Sequence, residues 1–426
     1  MVPEHKDERD EKHDGRVEVS AVVRVLHTAD WQIGMTRRYL PAEAQQRFTA
    51  ARTDVVRRIG ALAREQGCDL VVVAGDVFEH SQLMPQTVRR ALEALREIPV
   101  PVYLLPGNHD HLGPMSIWSS PVLREELPEH VHVLDTPGIH EVAEGVQLVA
   151  APWVGKHPET DPVAGALGSL PTGPADEGVV RVLVGHGATD LLDPDQHNST
   201  PVLVEPLRAA LDEGRIHYVA LGDRHSVTEV GDAAIWYSGA PEPTDWRERR
   251  PGEVLVVDIT PGTQGTRGQV EVRPQPVASW RYAAIEARVD SEADLEALDR
   301  ELDGLVDKER TVVRLALHGA LGLAQHARLE EILERHADLL AALHRPDQHS
   351  DVVLVSDDDL SELGLGGFLA GALEELRAET GTGPTDGVHV EQDEDTQEFR
   401  PGLPDDEDSA RDALALLYRL TRGGSR

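Results

Sequence analysis

Between Val22 and Ile259 the chain returns repeatedly to short, β-branched apolar runs, and most of them stop at a polar cluster built around glycine, aspartate or histidine. Val22–Leu26, Leu70–Ala74, Val102–Leu105, Val179–Val184 and Tyr218–Leu221 are too short for buried helices. They read as short strands, Leu70–Ala74 as a buried one. Between them Phe48, Val55, Ile59 and Leu62, and then Val88, Leu92 and Leu95, recur at roughly helical spacing. Ala234–Tyr237 and Val254–Ile259 read as closing strands. Strand–helix alternation of this kind folds as a layered α/β domain, predicted over residues 21–262, with the Pro-, Gly- and Asp-rich stretch 155–178 as a surface loop.

The flanking sequence is of other kinds. Residues 1–20 mix charges with almost no apolar content and are predicted to be a disordered tail. Thr260–Gln269 reads as a turn or linker, after which strands at Tyr282–Val289, Thr311–Leu317 and Val352–Val355 alternate with leucine stripes at 295–305 and 329–340. Ser291 is placed to cap the first of these helices. A small α+β domain is expected over 275–380, then an acidic flexible linker over 381–409 and a short amphipathic helix within 410–426, carried by Leu414, Leu417 and Leu420. The run Asp357-Asp358-Asp359 is read as a solvated helix start rather than a cation site.

Composition narrows the chemistry. Cys68 is the one cysteine of 426 residues, which excludes an intrachain disulfide and a multi-cysteine zinc site, so a metal would be held by oxygen and imidazole. No apolar run reaches the length of a membrane span and the first residues lack an apolar signal region, so a cytoplasmic protein with no membrane role is expected. The formal net charge of −35 opposes direct binding of a polyanion. A partner that supplies a basic surface, or bound cations that make one cleft less negative, would relieve it.

The polar clusters carry the functional signal. They are His27-Thr28-Ala29-Asp30-Trp31-Gln32, Gly75-Asp76, Gly107-Asn108-His109-Asp110, Gly185-His186-Gly187 and Gly222-Asp223-Arg224-His225, each just after a predicted strand. Ligand crevices of open α/β sheets lie beyond the carboxyl ends of the strands, where these clusters can converge. Each alone is ordinary: Gly-Asp is a common turn, and a single histidine is most often structural. Together, carboxylates, imidazoles and an amide oxygen suit a pair of divalent cations bridged by one carboxylate, an arrangement that clamps the attacking and leaving oxygens of a phosphoryl group.

With these motifs the chain resembles the calcineurin-like metallophosphoesterases and, more narrowly, the SbcD-type DNA repair exonucleases, nuclease subunits that pair with SMC-like (SbcC-type) ATPases. Residues 22–260 carry the likeness. His27-Thr28-Ala29-Asp30, Val73-Ala74-Gly75-Asp76-Val77-Phe78, Tyr218-Val219-Ala220-Leu221-Gly222 and Trp236-Tyr237-Ser238-Gly239-Ala240-Pro241 are similar to the nuclease branch. The resemblance implies a four-layer β-sandwich flanked by helices, followed by a small α+β capping domain. It implies one metal held by Asp30, Gln32, Asp76 and His225, and a second by Asp76, Asn108, His186 and Asp223. Asp76 would bridge the two, and His109 would stabilise the transition state or protonate the leaving oxygen. It further implies DNA as substrate, an SMC-like ATPase docked on the segment 410–426, and a homodimer.

Three positions depart from the family pattern. Gln32 and Asp223 stand where histidine is usual, and Glu79 stands where many nuclease members have histidine. The first two exchanges shift the ligand set toward oxygen and add a negative charge, which favours manganese or magnesium over zinc; two divalent ions are expected, manganese first, with magnesium, iron or zinc as alternatives. Two other functions fit the same residues: a phosphatase or phosphodiesterase for nucleotides or phosphoproteins, and a catalytically weak DNA-end-binding scaffold.

Overall fold

The structure, a computed structural model, describes residues 22–156, 158–192, 200–231, 233–262, 268–346 and 351–354. The predicted tail 1–20, the run Asp357-Asp358-Asp359, the linker 381–409 and the C-terminal segment 410–426 lie outside them. Of the described residues, those up to Met35 together with Ala51–Thr244 and Glu248–Ala278 form one compact unit. Thr36–Ala50, Asp245–Arg247 and those from Ser279 onward form another.

The elements follow the order β1 (Val23–Thr28), α1 (Ala42–Gln66), β2 (Leu70–Val73), α2 (Pro85–Arg96), β3 (Val102–Leu104), α3 (Pro121–Glu126), β4 (Val131–Val133), β5 (Gly138–Ala143) and β6 (Val146–Ala150). They continue with α4 (Pro162–Gly168), β7 (Val180–His186), α5 (Val204–Asp212), β8 (Tyr218–Gly222), β9 (Thr228–Glu229), β10 (Ile235–Tyr237), β11 (Glu253–Thr260) and β12 (Gln269–Pro276). The strands make two six-stranded sheets, β12-β11-β1-β2-β3-β4 and β5-β6-β7-β8-β10-β9. The sheets pack face to face: Val25, Val72 and Leu105 of the first share one buried cluster with Leu148, Val182 and Ala220 of the second. Val55, Ile59, Leu92 and Leu95 cover the outer face of the first sheet, and Leu167, Leu207 and Leu211 that of the second. The result is four layers, helix–sheet–sheet–helix, and it explains why Leu70–Val73 is apolar at every position.

Local sequence sets the helices. In α2, Pro85 takes the first turn, where its missing N–H leaves no donor unpaired. Val88, Ala91, Leu92 and Leu95 then line one buried stripe. The stretch read as a turn or linker at Thr260–Gln269 brings the chain back as β12, which pairs antiparallel with β11 along its whole length, so the first unit runs on to Ala278.

The second unit contains β13 (Arg281–Arg288), α6 (Glu292–Asp303), β14 (Thr311–Leu321), α7 (Leu323–Ala337), β15 (Ala342–His344) and β16 (Asp351–Leu354), with β13, β15 and β16 all parallel to β14. The Ser291 hydroxyl accepts from the Asp294 N–H as the cap of α6. Leu295, Leu298, Leu302, Leu329, Ile332 and Leu333 close over Leu315 and Leu317. The second leucine stripe is shorter than its sequence suggests. The helix stops at Ala337, Leu339 is 50% exposed, and Ala342–His344 pairs with β14, whose backbone groups claim those residues.

Candidate metal centre

Parallel register puts the strand ends side by side. Thr28 lies opposite Val73, Val73 opposite Leu104, and His186 opposite Gly222. The next residues of each strand are the polar clusters, so the turns leave both sheets toward one region. Those turns are strained. Among the described residues, five non-glycine residues have positive φ, and four of them are candidate ligands: Asp30 (53°), Gln32 (44°), Asp76 (53°) and Asp223 (99°). The left-handed region is uncommon for such residues and concentrates at functional sites. Backbone bonds hold the turns there: Asp30 N–H donates to Gly75 O at 3.1 Å and Gln32 N–H to Asp76 O at 2.9 Å.

Two glycines make the close approach possible. A Cβ on Gly75, itself at φ +93°, would lie 2.1 Å from His186 Nδ1, and one on Gly107 would lie 2.2 Å from Asp76 Oδ1. Asp76 is central. Its Oδ1 accepts from the His109 N–H at 2.9 Å, its Oδ2 lies 3.4 Å from His186 Nε2, and His109 Nε2 is 4.0 Å away. His186 Nδ1 donates to Ala74 O at 2.8 Å, which turns Nε2 toward Asn108 Oδ1 at 2.7 Å and Asp223 Oδ1 at 3.8 Å. The Asp30 carboxylate receives the Asp223 N–H at 3.1 Å. On the other side, Gln32 Nε2 and His225 Nε2 are 3.3 Å apart.

The structure thus brings all of Asp30, Gln32, Asp76, Asn108, His109, His186, Asp223 and His225 into one connected set. One ligand atom each from Asp30, Asp76 and His186 falls within 4.8 Å of the others. The set divides in two: Gln32 and His225 meet on one side, and Asn108, His186 and Asp223 on the other.

Electrostatics make this a place that demands positive charge. Burial pushes the Asp30 carboxyl up to about 6 against the pull of His225 and His186, and it raises Asp223 as well. For Asp76 burial acts upward too, but His186 and then His109 outweigh it and hold the carboxyl below its ordinary value. His186 is driven well above the usual imidazole range, because Asp76 overcomes the opposing effect of burial. The donor set fits divalent cations: three carboxylates, two imidazoles and two amides, oxygen-rich and borderline-hard. Gln32 Oε1 is buried with no hydrogen-bond partner among the described residues, an orphan acceptor that a cation would satisfy.

Sequence reasoning missed the residues behind the ligands. His225 Nδ1 is 2.8 Å from Thr244 Oγ1 and 3.0 Å from Glu248 Oε1, so the carboxylate sets its tautomer and leaves Nε2 facing Gln32. Asp110 is fully buried, receives the Gly107 and Phe78 N–H groups at 2.7 and 3.0 Å, and is pushed by burial up to about 7. Arg52 is fully buried and donates to Trp31 O at 3.1 Å and Pro243 O at 3.0 Å, tying the Asp30–Gln32 turn to the segment that carries Thr244. Only Asp110 had a local signal, its place in the Gly107–Asp110 run. Another Asp–Asp–His grouping, Asp299, Asp303 and His336 in the second unit, is already neutralised by Arg335 on Asp299 and by Lys308 on Asp303 at 3.3 Å.

A helix-flanked double sheet with such a centre at its strand ends is the plan of one large class of metal-dependent hydrolases. The calcineurin-like phosphoesterase family matches residues 23–256, and the chain belongs to it. Members of that family use a dinuclear divalent metal site. Among characterised relatives, the chain is similar to the SbcD component of the nuclease SbcCD of Bacillus subtilis, 24% identical over 61% of this chain and 73% of that one. It is similar also to the DNA double-strand break repair protein Mre11 of Archaeoglobus fulgidus, 33% identical over 21% of this chain and 19% of that one. A solved structure of TT1561 from Thermus thermophilus is 12% identical, with a TM-score of 0.35 over 60% of this chain and 100% of that one. Among the described residues no helix is long and apolar enough to cross a membrane.

Proposed function

We propose that the chain is a dinuclear-metal phosphodiesterase that cleaves DNA ends, as exonuclease or endonuclease, in concert with an SMC-like ATPase. The observation that carries this is the gathering of Asp30, Asp76, Asn108, His186 and Asp223 at adjoining strand ends, with Gln32 and His225 paired beside them and the backbone left-handed at Asp30, Gln32, Asp76 and Asp223. The choice of DNA rests on the relatives named as a nuclease component and a double-strand break repair protein. Asp30, Gln32, Asp76 and His225 would hold one cation, and Asp76, Asn108, His186 and Asp223 the other. When bound, such a pair supplies positive charge at the phosphoryl oxygens and makes water nucleophilic near neutral pH. The oxygen-rich set favours manganese, then magnesium, over iron or zinc.

The chain's own groups do the rest. Glu248 and Thr244 keep the His225 ring in one orientation, and Ala74 O does the same for His186. His109 Nδ1 donates to Glu79 O at 2.9 Å, so its Nε2 faces the Asp76 side of the site. The His109 side chain is 39% exposed, so it can reach a bound ester and protonate the leaving oxygen. Glu79, which stands where many nuclease members have histidine, supplies this bond through its main chain. Docking of the ATPase on 410–426, a homodimer and a cytoplasmic location complete the proposal by resemblance to the SbcD type.

The deciding test is a manganese-dependent nuclease assay of wild type and Asp76→Ala, with and without the ATPase. Cleavage by wild type that is lost in the variant is expected. A wild type that takes up the metals and hydrolyses an aryl phosphodiester, but leaves single-stranded and duplex DNA intact even with the ATPase, would move the reading to a phosphoesterase for small substrates, which the net charge of −35 also favours.

A further inference from the structure

The site's own turns are almost devoid of fixed positive charge. Across residues 30–32, 75–79, 107–110, 185–187 and 222–225 there is one arginine and no lysine. That arginine, Arg224, lies between the candidate ligands Asp223 and His225. A chain with a formal charge of −35 repels every phosphate beyond the one neutralised at the centre, so a substrate with several phosphates needs a local cationic path.

Arg224 is built for that role. It is exposed, and its Nε donates to Thr228 Oγ1 at 3.1 Å, while Thr228 Oγ1 donates to Ser226 O at 2.9 Å. The stem is therefore held, and the two terminal nitrogens carry no hydrogen bond or ion pair among the described residues. A second arginine is delivered to the same loop by backbone pairing. Arg249 N–H donates to Ser226 Oγ at 3.0 Å, and Val227 N–H donates to Arg250 O at 3.2 Å. Arg249 is exposed and has no ion pair among the described residues, whereas Arg250 is engaged with Glu253 at 2.9 Å. A guanidinium held by its stem loses little freedom when it takes up a phosphate in two-pronged fashion.

We propose that Arg224 and Arg249 form an anion subsite for the phosphates that flank the scissile one, so that the centre selects a phosphodiester chain over a lone phosphate ester. The inference rests on the phosphodiesterase reading above and deepens it.

Steady-state kinetics of the full chain with manganese test it, on a single-stranded oligonucleotide and on bis(4-nitrophenyl) phosphate, for wild type, Arg224→Ala, Arg224→Lys and Arg249→Ala. Each alanine variant is expected to raise KM for the oligonucleotide by about tenfold, with the effect on KM rather than kcat, and to shift KM for the aryl diester much less. Arg224→Lys should recover part of the loss. The slope of log KM against log salt should fall by about 0.7 per contact removed. Arg224 adjoins two candidate ligands and Arg249 follows Glu248, so manganese titration of each variant, expected to match wild type, separates loss of the subsite from disturbance of the metals. If wild type cleaves the oligonucleotide and both alanine variants match it in KM and salt slope, the subsite is overturned and the nuclease reading stands. If wild type hydrolyses the aryl diester but neither cleaves nor binds the oligonucleotide, both are overturned.

Discussion

The Asp76 carboxylate is approached by two histidines, His109 and His186, and the residues around it are separable by experiment. His109 contacts the centre through Nε2 at 4.0 Å and is bonded through Nδ1 to a backbone carbonyl. His109→Gln is therefore expected to keep fold and metal uptake while lowering kcat by about 10²–10⁴. Single-turnover rates alongside metal titration check it, and a kcat within about threefold of wild type would remove His109 from the mechanism. Glu248 stands behind the candidate ligands, bonded to His225 Nδ1 at 3.0 Å. Glu248→Gln is expected to weaken divalent binding by about 10–100-fold, read by calorimetric titration, with little change in secondary structure. Gly107→Ala would place a methyl 2.2 Å from Asp76 Oδ1 and 2.4 Å from the Asp76 backbone nitrogen, so metal uptake should drop sharply and the melting midpoint should fall with it. These positions differ in how visible they were. Asp76, Asn108 and His109 announce themselves because a strand end, a glycine and a polar side chain adjoin in sequence. Glu248 and Thr244 lie on a segment that approaches His225 only after two intervening strands have folded, and no local spacing encodes that.

Among elements, β1 carries an ion pair with a measurable consequence. Arg24 on β1 and Arg273 on β12 both reach Asp258 on β11, at 2.8 and 2.9 Å, and these bonds, Arg24 first, hold the carboxyl down to about 2. A carboxyl held below its unfolded value of about 4 stabilises the fold fully above that value, and progressively less as pH falls toward about 2. Asp258→Asn is therefore expected to lower the midpoint of thermal unfolding at about pH 7, with the gap to wild type narrowing at about pH 3. A gap that stays constant across that range would contradict the assignment. The central strands were legible because burial on both faces leaves no polar residue to confuse their pattern, as at Leu70–Val73. The edge strands were not. β12 carries Glu271, Arg273 and Gln275, has prolines at 274 and 276, and is half-exposed along most of its length. Its strand character comes from the unpaired backbone of β11, not from its own side chains. The end of α7 is similar: the leucine stripe continues, but pairing with β14 claims Ala342–His344.

For the whole molecule, cations and folding are linked. A centre where burial and like charge raise Asp30 and Asp223 is destabilising until positive charge arrives, so manganese at about 100 times its dissociation constant should add about 2.7 kcal/mol per occupied site. Calorimetric melting in chelator and in manganese tests this, and identical midpoints would mean that no divalent ion binds the native state. The positive-φ turns carry this further. Asp30, Gln32, Asp76 and Asp223 each occupy a backbone region that glycine tolerates freely, and each such placement costs about 1–3 kcal/mol. Selection for robustness alone would replace all four with glycine, so their side chains are expected to persist only where the proposed chemistry needs them. Lineages released from that chemistry should therefore drift toward glycine at these positions before they lose the buried valines beneath, leaving a sturdier relic with an empty crevice.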